Sequence, residues 1–516
     1  MQLYSNSIII FTMDLKSLIN KYYKIILIST FLISSAVLRC WDLGYSDYIP
    51  DEFKSFMILK EGESISDFLL KQRKGPMQFL VGSLAYYFSN DYKNELIHRI
   101  PYTLISIFNV YLFYLIVLKI TKNYSRNFEI SIISSFIFSF NGFIFGFSRI
   151  AQYQNLNMLF SFISILIFFK ILEVKKNSHI IFLTLLSTIF FIFSFLSHWD
   201  AVFYLPLLVS LIFYKSIQEK NWKRLSLVIG TFFFSCLLIL GSMMFLYLNN
   251  LSNNSSNQEY LERRIEFLSS SFEIYYNYIV LYNPFLFLWI LIPAIIYSLY
   301  NFKKNIEINI WFLVTISLFY LFFKKPGTHI YNFLIPAIIM MGIFLTEFWY
   351  EIFKKIPSKI RNLLLDKKIY FNILIILFLA FQTYILFVDS IKEYPYEQER
   401  VLFLKTKEYL YSEEEKLPLF GFPHSRKWNE INKFLLSENL KRGKNIKFMT
   451  NENEGIAKFY LDLEHGKDTE FYFIGIKNPQ NFIKDMRPRQ YKIKEKIMDE
   501  ASPKTKIWLV SEKDKK

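Results

Sequence analysis

The sequence predicts a polytopic α-helical membrane protein with about 11 transmembrane helices and a small C-terminal extracytoplasmic α/β domain. Of the 516 residues, 53% are hydrophobic and 19% are aromatic, which is more apolar material than one soluble core needs. The apolar residues form long Phe, Ile and Leu runs that short basic stretches separate, as in proteins that cross a bilayer repeatedly. This composition excludes a disordered or a fibrous protein.

Eleven apolar runs approach the length of about 20 residues that a helix needs to cross a bilayer. They are residues 23–39, 99–118, 128–147, 156–172, 179–196, 199–214, 225–248, 279–299, 308–323, 329–349 and 369–388. The segment 76–88 is too short and too interrupted to cross, so we expect it at the membrane interface. Residues 1–388 are therefore predicted to form one membrane domain, with residues 40–98 as its first outer loop.

The 60 Lys and Arg residues outnumber the 44 Asp and Glu residues, which gives a net charge of +16. In a soluble protein this excess suggests nucleic acid, but in a membrane protein basic residues collect in cytoplasmic loops. Lys and Arg are densest in the N-terminal segment and in loops 119–127, 170–178, 215–224, 300–307 and 350–368. The N-terminus is therefore predicted to be cytoplasmic, eleven spans place the C-terminal tail outside, and no nucleic-acid partner is expected.

Residues 389–516 are predicted to form the soluble domain, because charged residues are frequent there and no spanning run occurs. Alternating and short apolar patterns predict four strands and two helices. The strands are expected at 417–422, 446–450, 470–476 and 506–510, and the helices at 428–440 and 455–461.

The sharpest chemical feature is the pair Asp51 and Glu52, which follows Pro50 in the first outer loop. The pair precedes a helix-like stretch over residues 53–60, so both carboxylates are expected at the N-terminus of that helix. Such carboxylates can simply cap the free amides of the helix. Alternatively, one of the two carboxylates acts as a base that accepts a proton from an attacking hydroxyl, while the other carboxylate orients that base or holds a cation.

The same predicted side of the membrane collects most of the other ionisable groups, which at the mouth of a helix bundle often mark a ligand pathway. The plainer interpretation is that a single Arg or Lys at a span end extends to the interface. The six histidines show no short metal-binding spacing, and the two cysteines predict no disulfide framework.

Read in order, six motifs resemble the GT-C superfamily of polyprenyl-phosphate-sugar-dependent glycosyltransferases, in particular the branch with protein O-mannosyltransferases and the lipid A aminoarabinose transferase. The motifs are the segment Arg39 to Glu52, Lys74-Gly75-Pro76, Arg99-Ile100-Pro101, Ser148-Arg149-Ile150-Ala151, His198-Trp199-Asp200 and Lys325-Pro326-Gly327-Thr328-His329-Ile330-Tyr331. The resemblance covers roughly residues 23–388 and extends to Gly421-Phe422-Pro423 in the tail.

This resemblance implies transfer of a sugar from a polyprenyl phosphate to an acceptor hydroxyl at the outer face of the membrane, with inversion. It implies Asp51 as the base and Glu52 as its orienting partner or as a ligand of a divalent metal ion, and no other cofactor is implied. The implied donor-phosphate contacts are Arg39, Lys74, Arg149, Lys324, Lys325 and His329. The implied sugar or acceptor pocket contains His198, Asp200, Gln154 and Tyr331.

Two departures limit what the resemblance implies. Gln154 replaces an acidic residue of some relatives, which weakens a metal site at that position, and loop 249–278 is too short for the extra domain of many protein O-mannosyltransferases. The acceptor therefore stays open between protein, lipid and glycan. A lipid-linked glycan polymerase or ligase and a lipid or sugar transporter or flippase remain alternatives. The expected location is a prokaryotic cell membrane.

Overall fold

A computed structural model of the chain is mostly helical, with a small sheet near the C-terminus. The structure describes residues 22–59, 61–72, 75–251, 272–284, 286–323, 327–354, 358–391, 393, 400–401, 404–405, 419–476, 488, 490–502 and 505–512. The N-terminal segment and parts of the tail that the sequence analysis discussed therefore lie outside the described residues.

The membrane part is a bundle of helices whose bounds follow the apolar runs. In chain order they are α1 (Tyr22–Cys40), α2 (Pro50–Phe53), α3 (Ile65–Lys71), α4 (Pro76–Tyr86), α5 (Glu95–Ile120), α6 (Asn127–Ser139), α7 (Gly142–Ser148), α8 (Gln154–Glu173), α9 (Asn177–Ser197), α10 (Leu205–Glu219), α11 (Trp222–Leu251), α12 (Phe272–Tyr282), α13 (Leu286–Tyr300), α14 (Ile306–Phe322), α15 (Tyr331–Ile343), α16 (Trp349–Lys354) and α17 (Ser358–Phe387). Short 3₁₀ turns precede α10 and α15, at Trp199–Tyr204 and Gly327–Ile330.

Among the described residues, eight helical segments are long and apolar enough to cross a bilayer, and the bent pair α6 and α7 makes a ninth if it is one span. The apolar helices α13 and α14 are shorter. Together these segments occupy the eleven predicted runs, so the polytopic helical fold is confirmed, although fewer than eleven of them reach spanning length.

Two predicted runs are interrupted rather than continuous. The helices α6 and α7 meet at an angle of 60°, because Asn141 Oδ1 accepts the N–H groups of Phe143 and Ile144 and so begins a new helix. The predicted run 279–299 was wrong as a single helix, since α12 ends before Asn283-Pro284 and α13 begins after it. Proline supplies no N–H for a helical hydrogen bond and interrupts the helix there.

The first outer loop also differs from the prediction, because the helix expected over residues 53–60 does not form in its described part, residues 53–59. The helix α2 contains only four residues and is followed by a turn and an extended stretch. The ring of Phe53 stacks on Phe459 of the tail at 5.8 Å, and Phe56 packs on Tyr48 at 5.0 Å. Packing of these aromatic rings against the tail and the loop thus replaces a regular helix.

The tail forms a small α/β domain, as predicted. The described pieces are β1 (Arg400–Val401), β2 (Leu404–Lys405), α18 (Trp428–Arg442), β3 (Lys447–Thr450), α19 (Glu454–Tyr460), β4 (Phe471–Ile476), β5 (Tyr491–Ser502) and β6 (Thr505–Glu512). The main sheet has the order β3-β4-β6-β5, in which β3 and β4 are parallel and the other pairs are antiparallel. The strand β5 was not predicted, because its exposed Lys and Glu residues mask the alternation expected of a strand.

The strand predicted at 417–422 is wrong for its described part, residues 419–422. These residues pack on the membrane helices instead, where Phe422 stacks on Phe387 at 4.7 Å and the Phe420 N–H donates to the Tyr282 hydroxyl at 2.8 Å. Gly421 has a φ of +79°, and a Cβ atom there would lie 2.2 Å from the Gly146 carbonyl oxygen of α7. The apolar pattern therefore marks a docking segment, not a strand.

The tail is held against the first outer loop by polar contacts as well as by aromatic rings. The Tyr460 hydroxyl donates to Glu95 at 2.6 Å and accepts the Tyr48 N–H at 2.9 Å. An ion pair joins Lys93 to Asp462 at 2.9 Å. The tail and the first loop therefore lie on the same side of the helix bundle.

Candidate functional site

Asp51 and Glu52 have different environments although they are adjacent. Asp51 is half-buried on α2, whereas Glu52 is fully buried. The Arg99 guanidinium of α5 donates two hydrogen bonds to the Glu52 carboxylate, from Nε to Oε1 at 2.8 Å and from Nη2 to Oε2 at 2.9 Å. This paired geometry is the strong form of an Arg–carboxylate contact.

Backbone amides occupy the remaining acceptor positions of Glu52. Its Oε1 accepts the Ala151 N–H at 2.9 Å, and its Oε2 accepts the Ile49 N–H at 3.1 Å. A carboxylate offers about four lone-pair sites, and here all four are used. Glu52 therefore ties α2 to α5 and to the loop after α7, and a metal ion at Glu52 would have to displace these donors.

Arg39, a predicted phosphate contact, is fully buried between α1, α5 and α6. Its guanidinium donates to the Ser106 hydroxyl at 3.3 Å, to the Ser139 hydroxyl and carbonyl at 3.1 and 2.9 Å, and to Ser35. A buried Arg is normally paired or fully hydrogen-bonded, and these neutral acceptors satisfy the second condition. A phosphate contact by Arg39 would require breaking this network.

Arg149 is also engaged by the protein itself. Its guanidinium donates to the carbonyl oxygens of Leu38, Arg39, Trp41 and Asp42 at 2.8 to 3.2 Å. These carbonyls form the C-terminal end of α1 and the turn after it, where a cation is favoured by the helix dipole. Burial and the neighbouring Arg99 lower the pKa of Arg149 to about 10.

A small cavity of about 20 Å³ lies between the first loop and the tail. Its charged and titratable lining residues are Asp47, Glu52, Arg99, Arg149, His424 and Arg426. Burial raises the pKa of the Asp47 carboxyl, although Arg426 opposes the shift and the N–H groups of Arg426 and Lys427 donate to Asp47. Glu52 pairs with Arg99, and Asp47 accepts the N–H groups of Arg426 and Lys427, so this small cavity is a packed junction behind α2.

A second group of polar side chains, which we call the histidine cluster, consists of His198, Asp200 and His329. His198 and Asp200 lie where α9 ends and the 3₁₀ turn begins, and His329 lies in the 3₁₀ turn before α15. The Asp200 carboxylate is fully buried and lies 2.9 Å from Nδ1 of each histidine. The Tyr331 hydroxyl donates to Asp200 Oδ2 at 2.9 Å.

Neighbouring residues fix the histidine cluster from the side of α8. The Tyr153 ring stacks on His198 with centroids 3.9 Å apart, and the Asn157 amide donates to the His198 carbonyl at 3.0 Å. Sequence analysis missed both residues. The signal for Asn157 is a polar amide inside an apolar run, which is costly in a membrane unless it has a partner.

Gly75, from the predicted motif Lys74-Gly75-Pro76, lies against the end of α9, next to the histidine cluster. A Cβ atom at Gly75 would lie 2.0 Å from the Leu196 carbonyl oxygen and 2.7 Å from that of Ser197, so only glycine fits. The turn that begins α4 therefore touches the end of α9, one residue before His198. Three predicted phosphate contacts, Lys74, Lys324 and Lys325, lie outside the described residues.

Gln154 begins α8 and is almost fully buried. Its amide oxygen has no hydrogen-bond partner among the residues that the structure describes. The structure therefore brings His198, Asp200, His329 and Tyr331 together, and separately joins Glu52 to Arg99 and Ala151. The chemical roles of these residues, and of Gln154, stay predictions.

The helix bundle together with its tail domain is similar in fold to a solved structure, that of ArnT from Cupriavidus metallidurans. This ArnT structure, with undecaprenyl phosphate bound, aligns with a TM-score of 0.52 at 10% identity, over 94% of this chain and 98% of that one. No family model and no curated protein matches the sequence.

Two further structures are similar over part of their length. Apo ArnT from the same organism aligns with a TM-score of 0.44 at 12% identity, over 63% of this chain and 60% of that chain. The Archaeoglobus fulgidus oligosaccharyltransferase in complex with Zn and sulfate aligns with a TM-score of 0.43 at 12% identity, over 84% of this chain and 57% of that chain. At these identities the likeness concerns the fold.

Proposed function

We propose that this protein is a membrane glycosyltransferase that moves a sugar from a polyprenyl-phosphate donor to an acceptor hydroxyl at the outer face of the membrane. The observation that carries the proposal is the placement of Asp51 on a rigid turn that the buried Glu52–Arg99 pair holds against the helix bundle. The GT-C fold supports the same conclusion. Asp51 acts as the base, and Glu52 acts as a positioning residue through the backbone of α2.

The reaction is a single displacement at the anomeric carbon. Asp51 accepts the proton of the acceptor hydroxyl while the hydroxyl oxygen bonds to the anomeric carbon, and the bond from that carbon to the phosphate oxygen breaks. The configuration inverts, and the polyprenyl phosphate leaves as an anion. Because phosphate is a good leaving group, the site needs cations more than a strong general acid.

The donor phosphate is assigned to Lys74, Lys324, Lys325 and His329. Lys74 precedes Gly75, which touches the end of α9, and His329 lies in the histidine cluster. Lys can follow a phosphate as a movable point charge. Arg39 and Arg149 are left out of this set because protein acceptors hold their guanidinium groups. His198, Asp200, Gln154 and Tyr331 are proposed to border the sugar or acceptor pocket.

The proposed setting is a prokaryotic cell membrane with the tail outside. The tail contacts the first outer loop, so the loop that carries Asp51 and the tail face the same compartment. The partners are the bilayer, a polyprenyl-phosphate-linked sugar, and a protein, lipid or glycan acceptor. The sugar can be identified by testing a series of polyprenyl-phosphate donors, and the acceptor by finding which component of the extract carries the label.

The test is transfer of label from radioactive polyprenyl-phosphate sugars to a membrane extract by purified protein. We expect Asp51→Asn to lower transfer by about 10²- to 10⁴-fold, the usual contribution of a general base. The matched control is Glu61→Gln, which removes an exposed carboxylate from the same loop and should keep wild-type transfer.

Transfer by Asp51→Asn at the wild-type rate would exclude Asp51 as the base. Label that crosses the membrane without attachment to an acceptor would instead identify a flippase. Label that accumulates in lipid-linked chains of growing length would identify a polymerase.

A further inference from the structure

One contact in the histidine cluster joins His198 Nδ1 to a carboxylate oxygen of Asp200. His198 Nδ1 accepts the backbone N–H of Asp200 at 3.2 Å, so in this geometry its lone pair faces the turn. The same Nδ1 lies 2.9 Å from Asp200 Oδ1. A proton on Nδ1 or a metal ion next to both atoms would satisfy this contact.

The other oxygen of Asp200 is already satisfied. Oδ2 accepts the hydroxyl of Tyr331 at 2.9 Å and lies 2.9 Å from His329 Nδ1. Oδ1, in contrast, accepts no well-aligned hydrogen bond from any described residue. Within the described part of the chain, the ion-pair partners of Asp200 are the two histidines alone, so a fully buried carboxylate lacks a permanent positive neighbour there.

The geometry of the three side chains suits an ion. One ligand atom from each of His198, Asp200 and His329 lies within 4.8 Å of the others. Metal bonds of about 2.0–2.2 Å leave two ligands of one ion at most about 4.4 Å apart, so a small closing movement suffices. The rings are already oriented, because His198 stacks between Tyr153 and His329 at centroid distances of 3.9 and 5.2 Å.

We propose that His198, Asp200 and His329 bind one divalent transition-metal ion of the Zn²⁺ type. Two imidazole nitrogens and one carboxylate oxygen are borderline ligands that favour Zn²⁺ over Mg²⁺ or Ca²⁺, which prefer sites built from oxygen. The ion supplies a permanent positive charge beside the buried Asp200 carboxylate. Tyr331 acts as a positioning residue, since its hydrogen bond to Oδ2 directs Oδ1 toward the ion.

The site shares His198, Asp200, His329 and Tyr331 with the donor and sugar contacts assigned above, so this inference deepens the proposed function and rests on it. The metal site does not include Asp51, and Glu52 is occupied by four donors, so a metal ion in the histidine cluster would not bridge the proposed base. Metal binding can be measured without donor or acceptor, and its failure would leave the Asp51 experiment unaffected.

The experiment uses full-length protein in detergent, stripped with a chelator and then titrated with Zn²⁺ or Co²⁺. We expect about one bound ion per chain by elemental analysis, and visible Co²⁺ absorption typical of low coordination with nitrogen ligands. Asp200→Asn and His329→Gln should each weaken binding by at least about 100-fold, and Tyr331→Phe by about 10- to 100-fold, as for loss of an outer-shell partner.

The matched control is His179→Gln, which removes an exposed histidine from the start of α9 and should bind the ion like the wild type. Zn²⁺ should also raise the melting temperature of the wild type and of His179→Gln but not of Asp200→Asn, because an ion that binds only the folded state stabilises it. Binding of less than about a tenth of an ion by the wild type, or equal binding by Asp200→Asn, would show that a proton on His198 supplies the charge and would overturn the proposal.

Discussion

At the scale of single residues, adjacent carboxylates in the first loop have separate tasks. Glu52 has its four hydrogen bonds inside the protein, to Arg99, Ile49 and Ala151. Asp51, one residue earlier, is half-buried. The contrast follows from the tight turn after Pro50, which directs successive side chains of α2 to different surroundings.

Glu52→Gln is expected to destabilise the protein, because it leaves the Arg99 charge buried without its anion. Removing one partner of a buried ion pair costs about 3–5 kcal/mol, which should appear as a clear loss of melting temperature in detergent. Asp51→Asn, measured alongside, should lose transfer activity while it melts like the wild type. Equal melting temperatures for wild type and Glu52→Gln would contradict the positioning role.

The tail contributes a pH dependence through His424. Burial and the neighbouring Arg426 hold the pKa of His424 well below its usual value, and the nearby carboxylates of Glu452 and Glu393 do not compensate. An unfolded histidine titrates near pH 6.5, so below about that pH the unfolded state binds a proton that the folded state excludes. The buried neutral His424 therefore lowers the free energy of unfolding only below about pH 6.5, and this loss of stability grows as the pH falls further.

We expect the melting temperature to fall between pH 7.5 and pH 5, and His424→Gln to reduce this fall. The measurement is thermal unfolding of both proteins at half-unit pH intervals. His179→Gln, which removes an exposed histidine, should keep the wild-type slope. An identical slope for His424→Gln would assign the dependence to other groups.

At the scale of elements, the ends and breaks of helices build the site. His198 ends α9, Asn141 caps α7, and Tyr153 precedes α8. Helix ends expose amides and carbonyls that need partners, and here they gather polar side chains at one end of the bundle. Gly75 permits the closest of these approaches, between the start of α4 and the end of α9.

Gly75→Ala is expected to separate α4 from α9, since the new methyl group would overlap the Leu196 carbonyl oxygen. We expect a lower melting temperature and a loss of transfer, by tenfold or more, in line with the sensitivity of a catalytic site to displacements of about 1 Å. Gly230→Ala is the matched control, because nothing lies within 4 Å of the added atom. Wild-type behaviour of Gly75→Ala would show that the contact is not rigid.

At the scale of the whole molecule, the tail and the first loop form one unit at one end of the bundle. Tyr460, Asp462 and Phe459 of the tail contact Glu95, Lys93 and Phe53 of the loop region. These contacts place the tail on the same side of the helix bundle as the first loop. This conclusion does not depend on the exact number of spans.

Labelling of single cysteines in intact cells tests this arrangement. In a variant without Cys40 and Cys236, Asp462→Cys and Glu61→Cys should react with a membrane-impermeant maleimide. Lys220→Cys, in the turn between α10 and α11, should react only after permeabilisation, because it lies in a predicted cytoplasmic loop. Opposite labelling of Asp462→Cys and Glu61→Cys would contradict the contact between tail and loop.

The sequence by itself determined the membrane class, the position of the apolar runs and the order of the motifs, because hydrophobic length and charge patterning are local properties of the chain. The interruptions at Asn141 and Pro284 have local signals, a capping side chain and a proline, which the length of the apolar runs did not take into account. Local patterns could not separate Glu52 from Asp51 or identify residues 419–422 as a docking segment. Those features depend on partners distant in the chain. Only the tertiary structure brought Arg99 to Glu52 and His329 to Asp200, since buried polar groups are placed by the acceptors and donors that satisfy them.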